Sequence, residues 1–239
     1  MRKAVVIGAS SGMGLEVTKL LLNDGWQVGV AARRLDRLIS LKESYPELVC
    51  ERIDVNQADA ADLFLHLVEQ LGGMDLLFYS AGIGKKNPQL ISDIELNTVQ
   101  TNALGFTRMV SAAFQYMASH GGGHIAVISS IAGTKGLGPA PSYSATKAFQ
   151  NCYIEALEQQ AHARNLNIAF TDICPGFVDT DLLSGDNHYP MLMNPQKVSK
   201  QILSAIYRKK HVAVIDGRWR CLTFFWRMVP RFIWRRLRL

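Results

Sequence analysis

Short runs of β-branched and aliphatic residues, each closed by Gly, Asp or Pro, alternate along this chain with longer stretches in which apolar side chains recur every three or four positions. The first pattern belongs to strands and the second to helices, and their alternation predicts parallel strands joined by helical crossovers. Strands are expected at 3–7, 27–31, 48–53, 75–79, 124–129, 167–173 and 212–215. Helices are expected between them at 14–23, 35–44, 58–71, 96–119, 142–164 and 195–208. The last opens on Asn194-Pro195, a capping residue followed by one that a first helical turn tolerates. The fold class that follows is α/β, a doubly wound sheet of seven parallel strands with helices on both faces. With 239 residues, one domain over 1–216 and a tail over 217–239 are expected.

Charge sets the tail apart. The formal net charge is +6, yet all 20 acidic residues precede Gly217, while seven of the 26 Lys and Arg residues, all arginines, follow Asp216. The body is therefore close to neutral, which argues against nucleic-acid binding. The tail also holds Trp219, Trp226, Trp234, Phe224, Phe225 and Phe232. At helical spacing Arg220, Arg227, Arg231, Arg235 and Arg238 share one face, opposite Leu222, Phe225, Val229 and Ile233, and Pro230 should break the helix. Two uses stay open: peripheral contact with an anionic membrane, or packing of the aromatics over a substrate entrance or a neighbouring subunit.

Cys50, Cys152, Cys174 and Cys221 lack the spacing of a zinc or dithiol site and suit a reducing, cytoplasmic compartment. The apolar run after Met1-Arg2-Lys3 is too short for a secretory signal, and no segment has the roughly 18 apolar residues that spanning a bilayer requires. His120 and His124 flank Gly121-Gly122-Gly123 and cannot share a helix face, so no metal site is expected.

Directly after the first expected strand stands Gly8-Ala9-Ser10-Ser11-Gly12-Met13-Gly14, and a helix follows. Glycines there allow a tight turn and close approach of backbone amides to a pyrophosphate, and the helix N-terminus favours its charge. The pattern predicts a dinucleotide loop of a Rossmann-like sheet, with a plain Gly-rich turn as the alternative. At the end of the second strand, Arg33 and Arg34 stand where an NAD-selective site usually offers an acid to the ribose. Two guanidiniums suit a 2′-phosphate instead, with Ser10 or Ser11 as supporting donors, so the expected cofactor is NADP(H). Asp54, with Val55 beside it, can accept from the adenine amine or cap a helix.

The chemistry is expected further along. Ser130 closes the fifth strand, and Tyr143-Ser144-Ala145-Thr146-Lys147 opens a long helix, with Tyr143 and Lys147 on one face. A free phenol ionises near pH 10, so proton exchange at neutral pH needs a neighbouring charge, which Lys147 supplies. Ser130 can hold the substrate oxygen, and Asn102 can hold a water that links Lys147 to solvent.

In this order and with this glycine loop, the sequence resembles the short-chain dehydrogenase/reductase family over residues 3–215. The family's glycine motif matches Gly8, Gly12 and Gly14, and its catalytic tetrad matches Asn102, Ser130, Tyr143 and Lys147. The resemblance implies that Pro175-Gly176-Phe177-Val178-Asp179-Thr180 holds the nicotinamide carboxamide through backbone near Val178 and the Thr180 hydroxyl, and that Lys147 also bonds the nicotinamide ribose. It departs at Ile7, where the family usually has Thr, and at Tyr79-Ser80-Ala81-Gly82, where it usually has Asn-Asn-Ala-Gly. Ala81 and Gly82 would remain part of the cofactor floor. The helices over 96–119 and 142–164 resemble the family's oligomer surfaces, which implies a homo-oligomer.

The expected function is NADP(H)-dependent interconversion of a carbonyl and an alcohol, with Tyr143 as general acid and base. Leu182, Leu183, Tyr189, Met191, Leu192 and Met193 form either an apolar lid suited to a lipophilic small molecule or an ordinary surface loop. The alternative function is an NADP(H)-binding regulator or membrane-associated scaffold without turnover; the intact tetrad speaks against it.

Overall fold

The computed structural model describes residues 1–183 and 189–237. All seven expected strands form: β1 (Lys3–Ile7), β2 (Gln27–Ala32), β3 (Val49–Arg52), β4 (Leu76–Tyr79), β5 (Gly123–Ile128), β6 (Ile168–Cys174) and β7 (Val212–Val214). They pair in parallel in the order β3-β2-β1-β4-β5-β6-β7. The winding reverses between β1 and β4, so a crevice opens beyond their C-terminal ends. Ile7 lies opposite both Ala31 and Tyr79, which sets the ends of three strands level along that crevice.

Alternation of side chains divides the core into two layers. Ala4 and Val6 point to the face covered by α1 (Gly12–Asn23), α2 (Leu35–Ser44) and α7 (Pro195–Tyr207), whereas Val5 and Ile7 point to the other. That second face is covered by α3 (Ala60–Leu71), α5 (Phe106–Ser119) and α6 (Pro141–Ala163). As Asn194-Pro195 suggested, the Asn194 side chain caps α7 by accepting from the amides of Gln196 and Lys197.

The helix expected over 96–119 is not continuous. It begins earlier, as α4 (Ser92–Val99), widens into a π-helical turn over Gln100–Gly105, and resumes as α5. Gly105 sits in that turn against Val55, where a Cβ would come within 2.7 Å of the valine Cγ2. The wide turn carries Asn102 into the interior. α3 starts at Ala60 rather than 58, which removes Asp54 from any capping role there: its carboxylate accepts from the Asn56 amide at 3.1 Å and shapes the loop after β3.

The tail packs on the body. α8 (Gly217–Met228) and α9 (Arg231–Trp234) are separated at Pro230, as expected. Their inward side is Trp219, Thr223, Trp226 and Trp234; the Trp234 indole donates to the Gly136 carbonyl at 2.7 Å, and Lys135 Nζ donates to the Val229 carbonyl at 2.9 Å. This corrects the expected split between a cationic and an apolar face. Leu222 and Val229 are half-buried, but Phe225 and Ile233 turn outward with Phe224, Met228 and Phe232, among the arginines. The three tryptophans set the roll of the helix, because burying an indole gains more than burying a Leu or Val. Arg238 lies outside the described residues.

Candidate active site

β1 delivers the chain to Gly8, whose φ of +91° is one that side-chain-bearing residues rarely adopt. Its amide donates to the Ala31 carbonyl at 2.8 Å, and a Cβ there would stand 2.7 Å from the Ala81 nitrogen. At Gly14 a Cβ would stand 2.1 Å from the Gly8 carbonyl oxygen, so only glycine lets the first turn of α1 lie against the end of β1. Ser11 occupies the N-cap position in extended conformation, but its side chain makes no capping bond. The hydroxyl faces Arg34 instead.

Arg34 Nη2 donates to Ser11 Oγ at 2.8 Å and to Ser10 Oγ at 3.1 Å. The two serines and one of the two expected arginines are therefore brought together. Arg33 is exposed beside them. Arg37, one turn further along α2, joins the cluster: it and Arg34 both reach Asp181, at 3.2 and 3.3 Å. Against desolvation, which acts the other way, the hydrogen bonds from Arg34 and Arg37 hold the Asp181 carboxyl below its ordinary range. The pair is exposed and adds little stability. Its significance is positional, since it ties the loop after β6 to the arginines after β2.

The segment after β6 meets the glycine loop directly. The Thr180 methyl lies 3.1 Å from where a Cβ on Gly12 would stand. Val178 bridges to Met193, and the Met193 amide donates to the Phe177 carbonyl at 2.9 Å. Gly176 is overlaid by the Trp219 ring, and a Cβ on it would fall 2.3 Å from the indole. Pro175 accepts at its carbonyl from the Ile131 amide and, at 3.4 Å, from Ser130 Oγ. Of the expected lid, Met193 is buried, Tyr189 packs on Phe177 at 4.7 Å between centroids, and Leu182 and Leu192 are exposed. Residues 184–188 of that segment lie outside the described residues.

Below the crevice, the Asn102 side chain clamps the loop after β4, accepting from the Ile83 amide at 2.8 Å and donating to the Ile83 carbonyl at 2.7 Å. That clamp fixes Ala81 and Gly82 beside Gly8. Gly84 completes the loop: a Cβ there would stand 2.7 Å from the Tyr143 ring, so the absent side chain makes room for the phenol. Tyr79, where the resembling family has Asn, buries its ring edge-on against Phe106.

Ser130 follows β5 in extended conformation, accepts from the Ala132 amide at 3.1 Å, and lies close enough to the Tyr143 phenol to act on its titration. Lys147 is buried, with Nζ 5.8 Å from the centre of the Tyr143 ring. Its ammonium donates to the Ile128 carbonyl at 3.0 Å and to Gln150 Oε1 at 2.9 Å. Asn102, Ser130, Tyr143 and Lys147 are thus assembled beyond the C-terminal ends of β4 and β5. The electrostatics differ from expectation, however. Desolvation raises the Tyr143 phenol above its ordinary value, with Ser130 pulling the other way. Desolvation also lowers Lys147, to about 8, against the attraction of Asp172 and Cys174. For the phenol, burial is the larger influence.

Asp172 lies behind this pair. Desolvation raises its carboxyl, while bonds from Ser129 and Asn151 and the charge of Lys147 oppose the rise. Ser129 thus serves the interior while Ser130 serves the crevice. Two residues beyond those expected from the sequence belong to the site, and only their spacing marks them there: Gln150, three after Lys147, and Gly84, two after Gly82.

The residues fit a dinucleotide. The glycine loop presents the amide end of α1 beside two serine hydroxyls and a guanidinium, a donor set for phosphate oxygens. Comparison with known proteins agrees. Residues 2–189 match the short chain dehydrogenase family. An uncharacterized oxidoreductase of Myxococcus xanthus is 34% identical over 197 residues, covering 80% of this chain and 77% of that protein. Glycine betaine reductase ATRR of Emericella nidulans is 31% identical over 88% of this chain, which spans 18% of that longer protein. A variant of actinorhodin polyketide ketoreductase solved with NADPH superposes with a TM-score of 0.78 at 26% identity, covering 91% of this chain and 97% of that one. This chain belongs to the short-chain dehydrogenase/reductase family and is an oxidoreductase by descent, with a nicotinamide cofactor.

Replacing Gly14 by Ala should weaken dinucleotide binding by more than about tenfold, or about 1.4 kcal/mol, because the methyl overlaps the Gly8 carbonyl. Titration of NADPH fluorescence, with circular dichroism to confirm folding, checks this; a folded variant with unchanged affinity contradicts it.

Proposed function

We propose that this protein is an NADP(H)-dependent reductase of a lipophilic ketone or aldehyde, working in reverse on the corresponding alcohol, with Tyr143 as the proton-exchanging group. The observation that carries the reading is the convergence of Ser130, Tyr143 and Lys147 beside Gly82 and Gly84. When bound, the cofactor supplies hydride to the carbonyl carbon. Ser130 and Tyr143 hold the carbonyl oxygen between their hydroxyls. The raised phenol keeps its proton at neutral pH and so donates it as the oxygen gains charge. Lys147 stabilises the phenolate left behind and bonds the nicotinamide ribose, while Thr180 and the backbone at Val178 hold the carboxamide. Asp54 and Val55 sit at the adenine end, and Met13 lines the pyrophosphate loop. Exposed Leu182 and Leu192 and half-buried Met191 support an apolar substrate. Intact proton chemistry favours an enzyme over a regulator without turnover.

Tyr143→Phe should retain NADPH binding and lose at least about 100-fold in kcat, the usual worth of a positioned general acid. A screen of NADPH oxidation across apolar ketones and aldehydes finds the substrate; near-normal turnover by the variant overturns the assignment.

NADP(H) is preferred over NAD(H) because Arg34 is already aimed by Ser10 and Ser11, with Arg33 adjacent and exposed. Arg34→Ala should raise the KM for NADPH by about 10- to 100-fold, matching about 1.5–3 kcal/mol for charge-assisted bonds, and change that for NADH little. Equal losses for both cofactors would contradict the preference.

The same reading makes the protein a cytoplasmic homo-oligomer with peripheral membrane contact. Four free thiols suit a reducing compartment. Leu96, Val99, Leu104 and Phe149 form exposed apolar positions around α4, the π-helical turn and α6, suited to a second copy. Among the described residues no helix is long and apolar enough to cross a membrane. Yet Phe224, Met228 and Phe232 are 62%, 66% and 65% exposed on a tail that carries arginines and no acid after Asp216. Such a surface suits the interface of an anionic bilayer, each arginine near it adding about 1 kcal/mol. In flotation with phosphatidylserine-containing liposomes, the protein should rise with the lipid, and the triple variant Phe224→Ser, Met228→Ser, Phe232→Ser should stay behind. Wild-type protein that does not float contradicts the membrane contact.

A further inference from the structure

Gln150 has no exposure to solvent, and neither end of its amide is idle. Oε1 accepts from Lys147 Nζ at 2.9 Å, and Nε2 donates to the main-chain carbonyl of Asn102 at 2.8 Å. The orientation of the amide is dictated by its partners: an ammonium can only donate and a carbonyl can only accept, so oxygen must face Lys147 and nitrogen Asn102. Burying an amide is costly unless both ends are bonded, and an apolar side chain of similar size would fill the same space. The carbonyl it meets belongs to the π-helical turn, and the ammonium it meets stands at the end of β5, where it is also bonded to Ile128. Gln150 therefore links the Asn102 carbonyl to the Lys147 ammonium through protein atoms.

We propose that Gln150 is a positioning residue of the catalytic site, holding the Lys147 ammonium in place and in charge by bridging it to the Asn102 carbonyl. The catalytic meaning of that bridge rests on the function proposed above, but the bridge itself does not. The titratable groups around it are few: Tyr143 on α6, and Asp172 and Cys174 on β6, with the hydroxyls of Ser129 and Ser130 after β5. Lys147 is already driven down by desolvation, so losing one of its two protein acceptors should make it surrender its proton more readily.

The test follows the Lys147 side chain directly, by NMR titration of its Cε resonance in the ligand-free full chain, assigned by its loss in Lys147→Met. Gln150→Met, which keeps length and loses the bond, should lower the Lys147 titration by about one pH unit, a tenfold change in proton affinity. Gln150→Glu, which when ionised keeps the acceptor toward Lys147, gives up the donor toward the Asn102 carbonyl and adds a negative charge, should raise it. In carbonyl reduction the alkaline limb of kcat should move in the same two directions while KM for the carbonyl stays within about twofold. Loss of packing alone would not move the two variants oppositely. Titrations that stay at the wild-type value, or move the same way in both, overturn the proposal; if Gln150→Met does not fold, the direction of the Glu variant alone decides. Opposite shifts of Lys147 in a protein that reduces no carbonyl would sustain the bridge and overturn the proposed function instead.

Discussion

An ammonium removed from water must find its acceptors in the protein, and the arrangement around Lys147 is what satisfies that requirement. β5 ends at Ile128, whose carbonyl takes one proton of the ammonium; Gln150 takes another. Asp172 supplies the opposing charge from β6 and is itself bonded by Ser129 and Asn151. α6 brings Lys147, Gln150 and Asn151 to these groups at the ends of β5 and β6. Removing any one acceptor leaves a buried charge less compensated, a costly state for a protein interior.

The same desolvation acts on Tyr143, and there it works in favour of one chemical state. A phenolate in this crevice would lose solvation, so the ring keeps its proton. In the carbonyl-reducing direction that is the form required. In the proposed reaction Ser130 would stabilise charge on the substrate oxygen and on the phenol together. Around this pair, Gly84 clears space for the ring, Asn102 clamps the loop that carries Gly84, and Trp219 and Trp234 press the tail against both walls of the crevice. The tail therefore packs directly on the segment after β6 and on the loop after β5.

Much of this was legible in the sequence, for identifiable reasons. β-branched runs bounded by turn residues located all seven strands, because parallel strands buried on both faces have little freedom of composition. The glycine loop and Tyr143 with Lys147 were legible because each depends on local spacing. The π-helical turn was not, since residues 100–105 keep a helical pattern and differ only in backbone bonding that Gly105 and Val55 impose from afar. Asp181 could not be paired with Arg34 and Arg37 from sequence, being over 140 positions away. The helical wheel of the tail separated arginines from aliphatics correctly as angles, yet it contained no information about where the body lies, and the tryptophans decided which side turned inward. Lys147 was expected to acidify Tyr143 because attraction between charges follows from proximity, whereas the opposing loss of solvation depends on burial that spacing does not encode.

The most direct measurement is the ultraviolet titration of tyrosinate in the ligand-free protein, taken as the difference between wild type and Tyr143→Phe. Burial predicts that Tyr143 remains protonated at and beyond pH 10, the range in which a free phenol ionises. A Tyr143 phenolate already present near neutral pH would mean that the ammonium overrides desolvation, and would contradict the electrostatic basis of the site.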